Sequence, residues 1–195
     1  MILYCATGNA GKLREFREAA EGRAGLEPLP GFASLTPAEE TGSSFEENAI
    51  QKALYYGGAV NGLLFAEDSG LEAQGLGGAP GIYSARFSGP AATDESNNAL
   101  LLEKLARATD RRARYVCVIA LAENGRLLET FRGEVAGRIL ESPRGSGGFG
   151  YDPLFFYEPF GRTFAEITAA LKFTVSHRGN AFRKLLAWLD ARRQG

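Results

Sequence analysis

The sequence predicts an α/β fold: an elongated mixed sheet with flanking helices. Three observations point to it. Short apolar runs at Ile2 to Ala6, Leu63 to Ala66 and Arg114 to Ala122 read as strands. Stretches with apolar residues three and four apart lie between and after them and read as amphipathic helices. Asn124-Gly125 is a strong hairpin signal, so the middle of the chain carries an antiparallel meander rather than another βα unit.

Taken in order, the first strand breaks at Thr7-Gly8-Asn9-Ala10-Gly11. A helix follows from about Lys12 to Ala20, with Leu13, Phe16, Ala19 and Ala20 on one stripe. A second helix starts at Ser43 or Ser44, because Ser43 with Glu46 and Ser44 with Glu47 both fit a capping box. Phe45, Ala49, Ala53 and Tyr56 form its apolar face, and Gly57-Gly58 ends it. The strand from Leu63 is expected to stop at Glu67-Asp68-Ser69-Gly70. Residues 71 to 90 are glycine-rich and irregular. Thr93 to Ala108 reads as a helix with Leu101, Leu102 and Leu105 inward. After the hairpin, Leu127 to Phe131 and Glu134 to Leu140 are further strands. A glycine-rich loop spans Ser142 to Pro153. The last helix, about Asn180 to Arg192, buries Phe182, Leu185, Leu186 and Leu189.

At 195 residues the chain has room for one well-buried core, and residues 1–195 are expected to form a single domain. Hydrophobic residues make up 45% and charged residues 23%, as in an ordinary soluble protein. A net charge of -1 supplies no global attraction to nucleic acid or an anionic membrane, so neither is expected as a partner. Any anionic ligand must be met by local charge. No segment is long and apolar enough to span a bilayer, and the N-terminus lacks the pattern of a signal peptide; a cytoplasmic protein is expected. Cys5 and Cys117 each lie in an apolar run and read as free buried thiols.

Five segments could carry chemistry. Thr7-Gly8-Asn9-Ala10-Gly11-Lys12 joins a strand to a helix, which points backbone N–H groups at an anion, and Lys12 adds a full charge. It is not a Walker A loop: Ala6 and Leu13 stand where that motif needs Gly and Ser or Thr. Alone, the segment would read as a simple turn with a solvent lysine. Glu67-Asp68 follows an apolar strand, and alternation directs the two carboxylates to opposite faces. With Glu39-Glu40 they offer the oxygen ligands that suit Mg²⁺, though two acids in a polar turn are also commonplace. Asn48 and Lys52 share a helix face, as an exposed pair also would. Gly147-Gly148-Phe149-Gly150-Tyr151-Asp152-Pro153 puts two aromatics in a glycine-rich loop, where a ring can stack on a base or turn into the core. Ser176-His177-Arg178-Gly179 holds the only histidine beside an arginine, a donor-rich pair, with Lys172 shortly before it.

These pieces, in this order, resemble the inosine triphosphate pyrophosphatase family, which acts on non-canonical purine nucleoside triphosphates. The matching segments are ATGNAGK (6–12), EETGSSFEENAIQKA (39–53), AEDSGLEAQGLGGAPGIYSARFSG (66–89), GGFGYDPLF (147–155) and SHRGNA (176–181), and the resemblance covers essentially the whole chain. Glu67 is a conservative departure, since many bacterial members have Asp there. The resemblance implies two lobes around a central nucleotide-binding cleft, and a homodimer. It implies that Thr7, Gly8, Asn9, Ala10, Gly11 and Lys12 hold the triphosphate, with Lys52 nearby. It gives Asp68 the role of metal-linked acid and general base, and Glu39 or Glu40 that of Mg²⁺ ligand. Ser69 would touch substrate. Phe149 would stack on the base beside Gly150, Tyr151 and Asp152, with Lys172, His177 and Arg178 at the base edge.

The expected reaction is hydrolysis of ITP, dITP or XTP to the monophosphate and pyrophosphate. The residue chemistry is consistent with it. Lys12, Lys52 and Mg²⁺ can offset triphosphate charge, and a carboxylate can deprotonate water. His177 and Arg178 can donate to a purine 6-oxygen, whereas adenine presents a donor there. A pyrophosphatase preferring modified pyrimidines and a non-catalytic nucleotide sensor are the competing readings. The sensor has no need of Asp68.

Overall fold

The computed structural model describes residues 2–20 and 25–194. Among these residues, seven strands form one mixed sheet in the order β2-β1-β3-β4-β5-β6-β7. The strands are β1 (Ile2–Cys5), β2 (Gly25–Pro28), β3 (Leu63–Ala73), β4 (Arg112–Glu123), β5 (Arg126–Ile139), β6 (Phe155–Tyr157) and β7 (Arg162–Thr163). The helices are α1 (Ala10–Ala20), α2 (Phe45–Gly57), α3 (Asp94–Lys104), α4 (Ala169–Val175) and α5 (His177–Gln194). β1 pairs in parallel with β2 and β3, and β6 pairs antiparallel with β5 and β7. The mixed α/β sheet with flanking helices is therefore as expected.

Several boundaries differ from the sequence reading for physical reasons. β3 does not stop at Glu67 but runs on to Ala73, because Leu71 and Ala73 are apolar and fully buried. β1 pairs only with Leu63–Phe65, so the acids lie just past the end of the neighbouring parallel strand. The two expected strands after the hairpin are one, β5, and Asn124 (φ 52°) with Gly125 (φ 74°) makes the tight turn before it. α3 ends four residues before Ala108. α5 begins at His177, three residues earlier than expected, and this moves His177 and Arg178 from a loop onto the helix's first turn. β2, β6, β7 and α4 are short elements that the sequence reading did not name.

The chain divides into two compact units: residues 1–68, 117–133 and 177–195, and residues 69–116 and 134–176. In the first, Phe16 of α1, Phe65 of β3 and Phe182 of α5 form an aromatic cluster, with Phe16 centred 5.1 Å from Phe65 and 5.0 Å from Phe182. α2 buries Phe45, Ala49, Ala53 and Tyr56, the expected stripe. Ser44 caps it by accepting from the Glu47 N–H, while the Glu47 carboxylate accepts from Ser43 rather than from the cap itself. A Cβ at Gly133 would stand 2.1 Å from the His177 carbonyl oxygen, so only glycine lets the first turn of α5 lie against β5. Cys5 and Cys117 are free and buried.

The second unit has its own core. Tyr115, Phe155 and Phe164 pack at 4.6 Å (Tyr115–Phe155) and 4.9 Å (Phe155–Phe164), with Leu101 of α3 and Leu105 just past its end buried beside them. α3 opens on a capping box in which Thr93 and Ser96 exchange backbone and side-chain bonds. No helix among the described residues is long and apolar enough to cross a membrane.

Candidate active site

In the first unit the turn after β1 leads straight into α1. Asn9 spends its side chain locally: its Oδ1 accepts from the Lys12 N–H at 3.0 Å, capping the helix, and its own N–H donates to Thr7 Oγ1 at 3.2 Å. The cap holds the turn in shape, so Gly8, Ala10 and Gly11 are presented at the N-terminus of an eleven-residue helix. Lys12 leaves this turn and pairs with Glu67, whose side chain is almost fully buried.

Alternation along β3 separates the two acids as expected. Glu67 meets Lys12 and accepts a bond from the Cys117 thiol at 3.6 Å. Burial works against its charge, but Lys12, Arg178 and Lys52 outweigh that and hold its carboxyl down at about 2. Arg178, itself buried, pairs with Glu15 of α1 at 2.7 Å. Burial disfavours the guanidinium charge, yet Glu15 and Glu67 raise its pKa still further.

Asp68 faces another group. Lys52 Nζ donates to its Oδ1 at 2.9 Å and Asn48 Nδ2 to its Oδ2 at 3.2 Å, so the i, i+4 pair on α2 clamps both carboxylate oxygens. Lys52 also donates to Glu40 at 2.7 Å. Asn48 Oδ1 accepts from the Gly42 N–H at 2.9 Å, tying the segment that carries Glu40 to the same helix. Burial raises the Asp68 carboxyl above its ordinary value; Lys52 pulls it down, and the nearby Glu67 and Glu40 add to the rise. Lys52 is raised as well, because Asp68, Glu67 and Glu40 together outweigh burial. Of the two acids at 39 and 40, Glu40 is the one Lys52 ties to Asp68, whereas Glu39 is exposed. No three metal-ligating side chains cluster among the described residues. Two hard, partly accessible carboxylates fit Mg²⁺ in the form that keeps waters and completes its shell with substrate phosphates.

In the second unit the Gly147-to-Pro153 loop is organised around Asp152. Its Oδ2 accepts from the Phe149 N–H at 3.0 Å and from Lys172 Nζ at 2.5 Å, all nearly sealed from solvent at the ion pair. Gly148 (φ +73°) comes so close that a Cβ would stand 2.1 Å from that oxygen. Lys172 Nζ also lies 4.7 Å from the Phe149 ring centroid, a cation–π contact. Tyr151 turns inward and donates to the Ser84 carbonyl at 2.8 Å. Of the two loop aromatics, then, Tyr151 belongs to the core and Phe149 stays half-exposed. Ser69 stands on β3 next to Asp68, half-buried.

Sequence reasoning missed Glu15 and gave no role to Asp94 or Asn98; it set Asn48 beside Lys52 on one helix face without assigning Asn48 a role at the site. Glu15 had a signal: it is a carboxylate beside Phe16 on the inward side of α1, where a charge needs a buried partner. Asn48 could be read from its i, i+4 spacing to Lys52, but its partner Asp68 is twenty residues away.

Paired acid–lysine contacts on β3, just past the end of the parallel strand β1 and next to a capped helix N-terminus, define an α/β protein equipped for a polyphosphate ligand. The chain belongs to the Ham1 family, whose model matches residues 3–188. It is 48% identical over 200 residues to the dITP/XTP pyrophosphatase of Acidobacterium capsulatum, covering 97% of this chain and 98% of that one. It is 47% identical to the dITP/XTP pyrophosphatase of Thermus thermophilus over 195 residues, 95% of this chain and 90% of the other. The Ham1 protein of Staphylococcus aureus has a similar solved structure, with TM-score 0.88 at 39% identity over 98% of this chain and 100% of that one. A HAM1 protein from Coxiella burnetii gives TM-score 0.88 at 38% identity over 98% and 99%.

Proposed function

We propose that this protein hydrolyses the non-canonical purine nucleoside triphosphates ITP, dITP and XTP to the nucleoside monophosphate and pyrophosphate. The observation that carries the reading is the pair of adjacent acids on β3, each tied to its own lysine: Glu67 to Lys12 and Asp68 to Lys52. Lys12 and the amides from Gly8 to Gly11 suit the β- and γ-phosphates. Asp68, kept by burial more basic than an ordinary aspartate, is the general base. Glu40 and Asp68 would hold Mg²⁺, which when bound offsets phosphate charge and polarises the α-phosphoryl group.

Asp68 takes a proton from water as its oxygen bonds to the α-phosphorus. The bond from that phosphorus to the bridging oxygen breaks, and pyrophosphate leaves as one unit held by Lys12. Phe149 stacks on the base, with Gly150 letting the loop approach it. His177 and Arg178 donate to the 6-oxygen, Glu15 fixing the orientation of the Arg178 guanidinium. Lys172 stays beside the stacking ring, oriented by Asp152. A purine that presents an amino group at position 6 leaves buried donors unmatched, at a cost of about 1–3 kcal/mol, or roughly 5- to 150-fold in preference over ATP. A cytoplasmic homodimer is the proposed form, and light scattering giving twice the chain mass is its test. A panel of ITP, XTP, dITP, GTP and ATP, with pyrophosphate and phosphate detected separately, tests the activity. Equal turnover of ATP and ITP would contradict the base preference.

A further inference from the structure

We infer that Asp94 and Asn98 of α3 are positioning residues that hold the Phe149 loop in its stacking geometry; this rests on the reading of Phe149 as the base-stacking ring. The Gly150 peptide groups are gripped on both sides. Asp94 Oδ2 accepts from the Gly150 N–H at 2.6 Å, a short charge-assisted bond. Asn98 Nδ2 donates to the Gly150 carbonyl at 2.9 Å. The two side chains are four residues apart, so they project from one face of α3 and meet one residue of the loop.

Gly150 has φ +64°, a conformation open to glycine and rare for other residues, so the glycine permits the turn and the two α3 contacts select it from the conformations glycine could adopt. The Phe149 N–H is taken by Asp152. The aromatic residue is therefore fixed through its own amide and through both groups of its successor. α3 is a firm base for this grip, since its cap is complete and Leu101 and Leu105 are fully buried in the core. Asp94, Asn98, Phe149 and Gly150 together line a hollow of about 480 Å³. Loss of either grip frees the ring to leave the stacking position, and the cost falls on binding of the base rather than on the phosphates.

The test is steady-state hydrolysis of ITP by Asp94→Ala, Asn98→Ala, Asp94→Asn and Phe149→Ala, with the product-inhibition constant of inorganic pyrophosphate measured for each. Phe149→Ala raises KM about 5- to 150-fold, the range of a lost stacking partner. Asp94→Ala and Asn98→Ala raise KM by about fivefold to tenfold, the range of one hydrogen bond, with kcat changed less than about twofold and pyrophosphate inhibition unchanged. Asp94→Asn, whose amide oxygen can still accept from Gly150, recovers most of the KM. If Phe149→Ala raises KM while Asp94→Ala and Asn98→Ala leave it unchanged, the positioning role is wrong and the stacking reading stands. If Phe149→Ala leaves KM unchanged, the stacking reading itself fails. A parallel rise in KM and pyrophosphate inhibition constant, or an Asp94→Asn protein as impaired as Asp94→Ala, also overturns the inference. Should Asp94→Ala not fold, Asn98→Ala and Asp94→Asn carry the same comparison, because Asn98 is only partly buried.

Discussion

Replacing Glu67 by Gln removes the negative charge that Lys12 and Arg178 surround. Its carboxyl is held at about 2 against an ordinary 4.5, so the ionised form is favoured in the folded state by roughly 3 kcal/mol, taking 1.36 kcal/mol per pKa unit. The side chain is buried, so solvent does not screen this figure away. The sign follows from the lowered value. Stability from Glu67 is present in full above about pH 4.5 and is lost as the pH falls through about 2. Between pH 6 and pH 3 the wild type should therefore lose about 2 kcal/mol that the variant never had. Urea unfolding of both proteins in EDTA, followed from pH 6 to pH 3, gives the measurement. At pH 6 the Gln variant should be less stable by about 3 kcal/mol, and the gap should narrow by about 2 kcal/mol at pH 3. A gap that is absent at pH 6, or that stays constant with pH, would refute the claim that these cations hold Glu67 ionised.

Asp68 behaves in the opposite sense. Its folded value is raised, so its contribution is present at low pH and lost as pH rises through that value; Asp68→Asn should be at least as stable as wild type at pH 7 without metal, yet lose about 10²- to 10⁴-fold in kcat. Near-normal turnover by the folded variant would remove Asp68 from the mechanism. Arg178→Ala should lose both stability, by about 3–5 kcal/mol because Glu15 is left buried without its partner, and part of the ITP-over-ATP preference; a full ITP/ATP ratio in Arg178→Ala and His177→Ala would move base reading elsewhere. EDTA should abolish turnover and Mg²⁺ restore it. Glu40→Gln should raise the Mg²⁺ needed for half activity by roughly tenfold or more while Glu39→Gln leaves it unchanged, and the reverse order would exchange the two acids.

The sequence was most informative where local chemistry decides the outcome. The apolar stripe of α2, the Ser44 cap and the Asn124-Gly125 turn are all set by residues within a few positions of each other, and each is present. The reach of β3 past Glu67 was not legible, because two adjacent carboxylates in a strand are tolerated only when partners come from afar: Lys12 from α1, and Lys52 and Asn48 from α2. For the same reason Asp68 was singled out but its clamp was not. Arg178 reads in sequence as half of a donor-rich pair with His177. Its burial and its pairing with Glu15, 163 positions earlier, which orients the guanidinium, leave no local signal. The resemblance sets Asp152 beside the base, and the structure adds that its oxygens organise the Gly147-to-Pro153 loop and Lys172.

The central claim is that the carboxylate at Asp68 directs water to the α-phosphorus. Hydrolysis of ITP in ¹⁸O-labelled water, with mass analysis of both products, tests this most directly. The label should appear in inosine monophosphate, with unlabelled pyrophosphate released as one unit. Label in pyrophosphate would mean attack at the β-phosphorus, and free phosphate as the first product would mean attack at the γ-phosphorus; either contradicts the account.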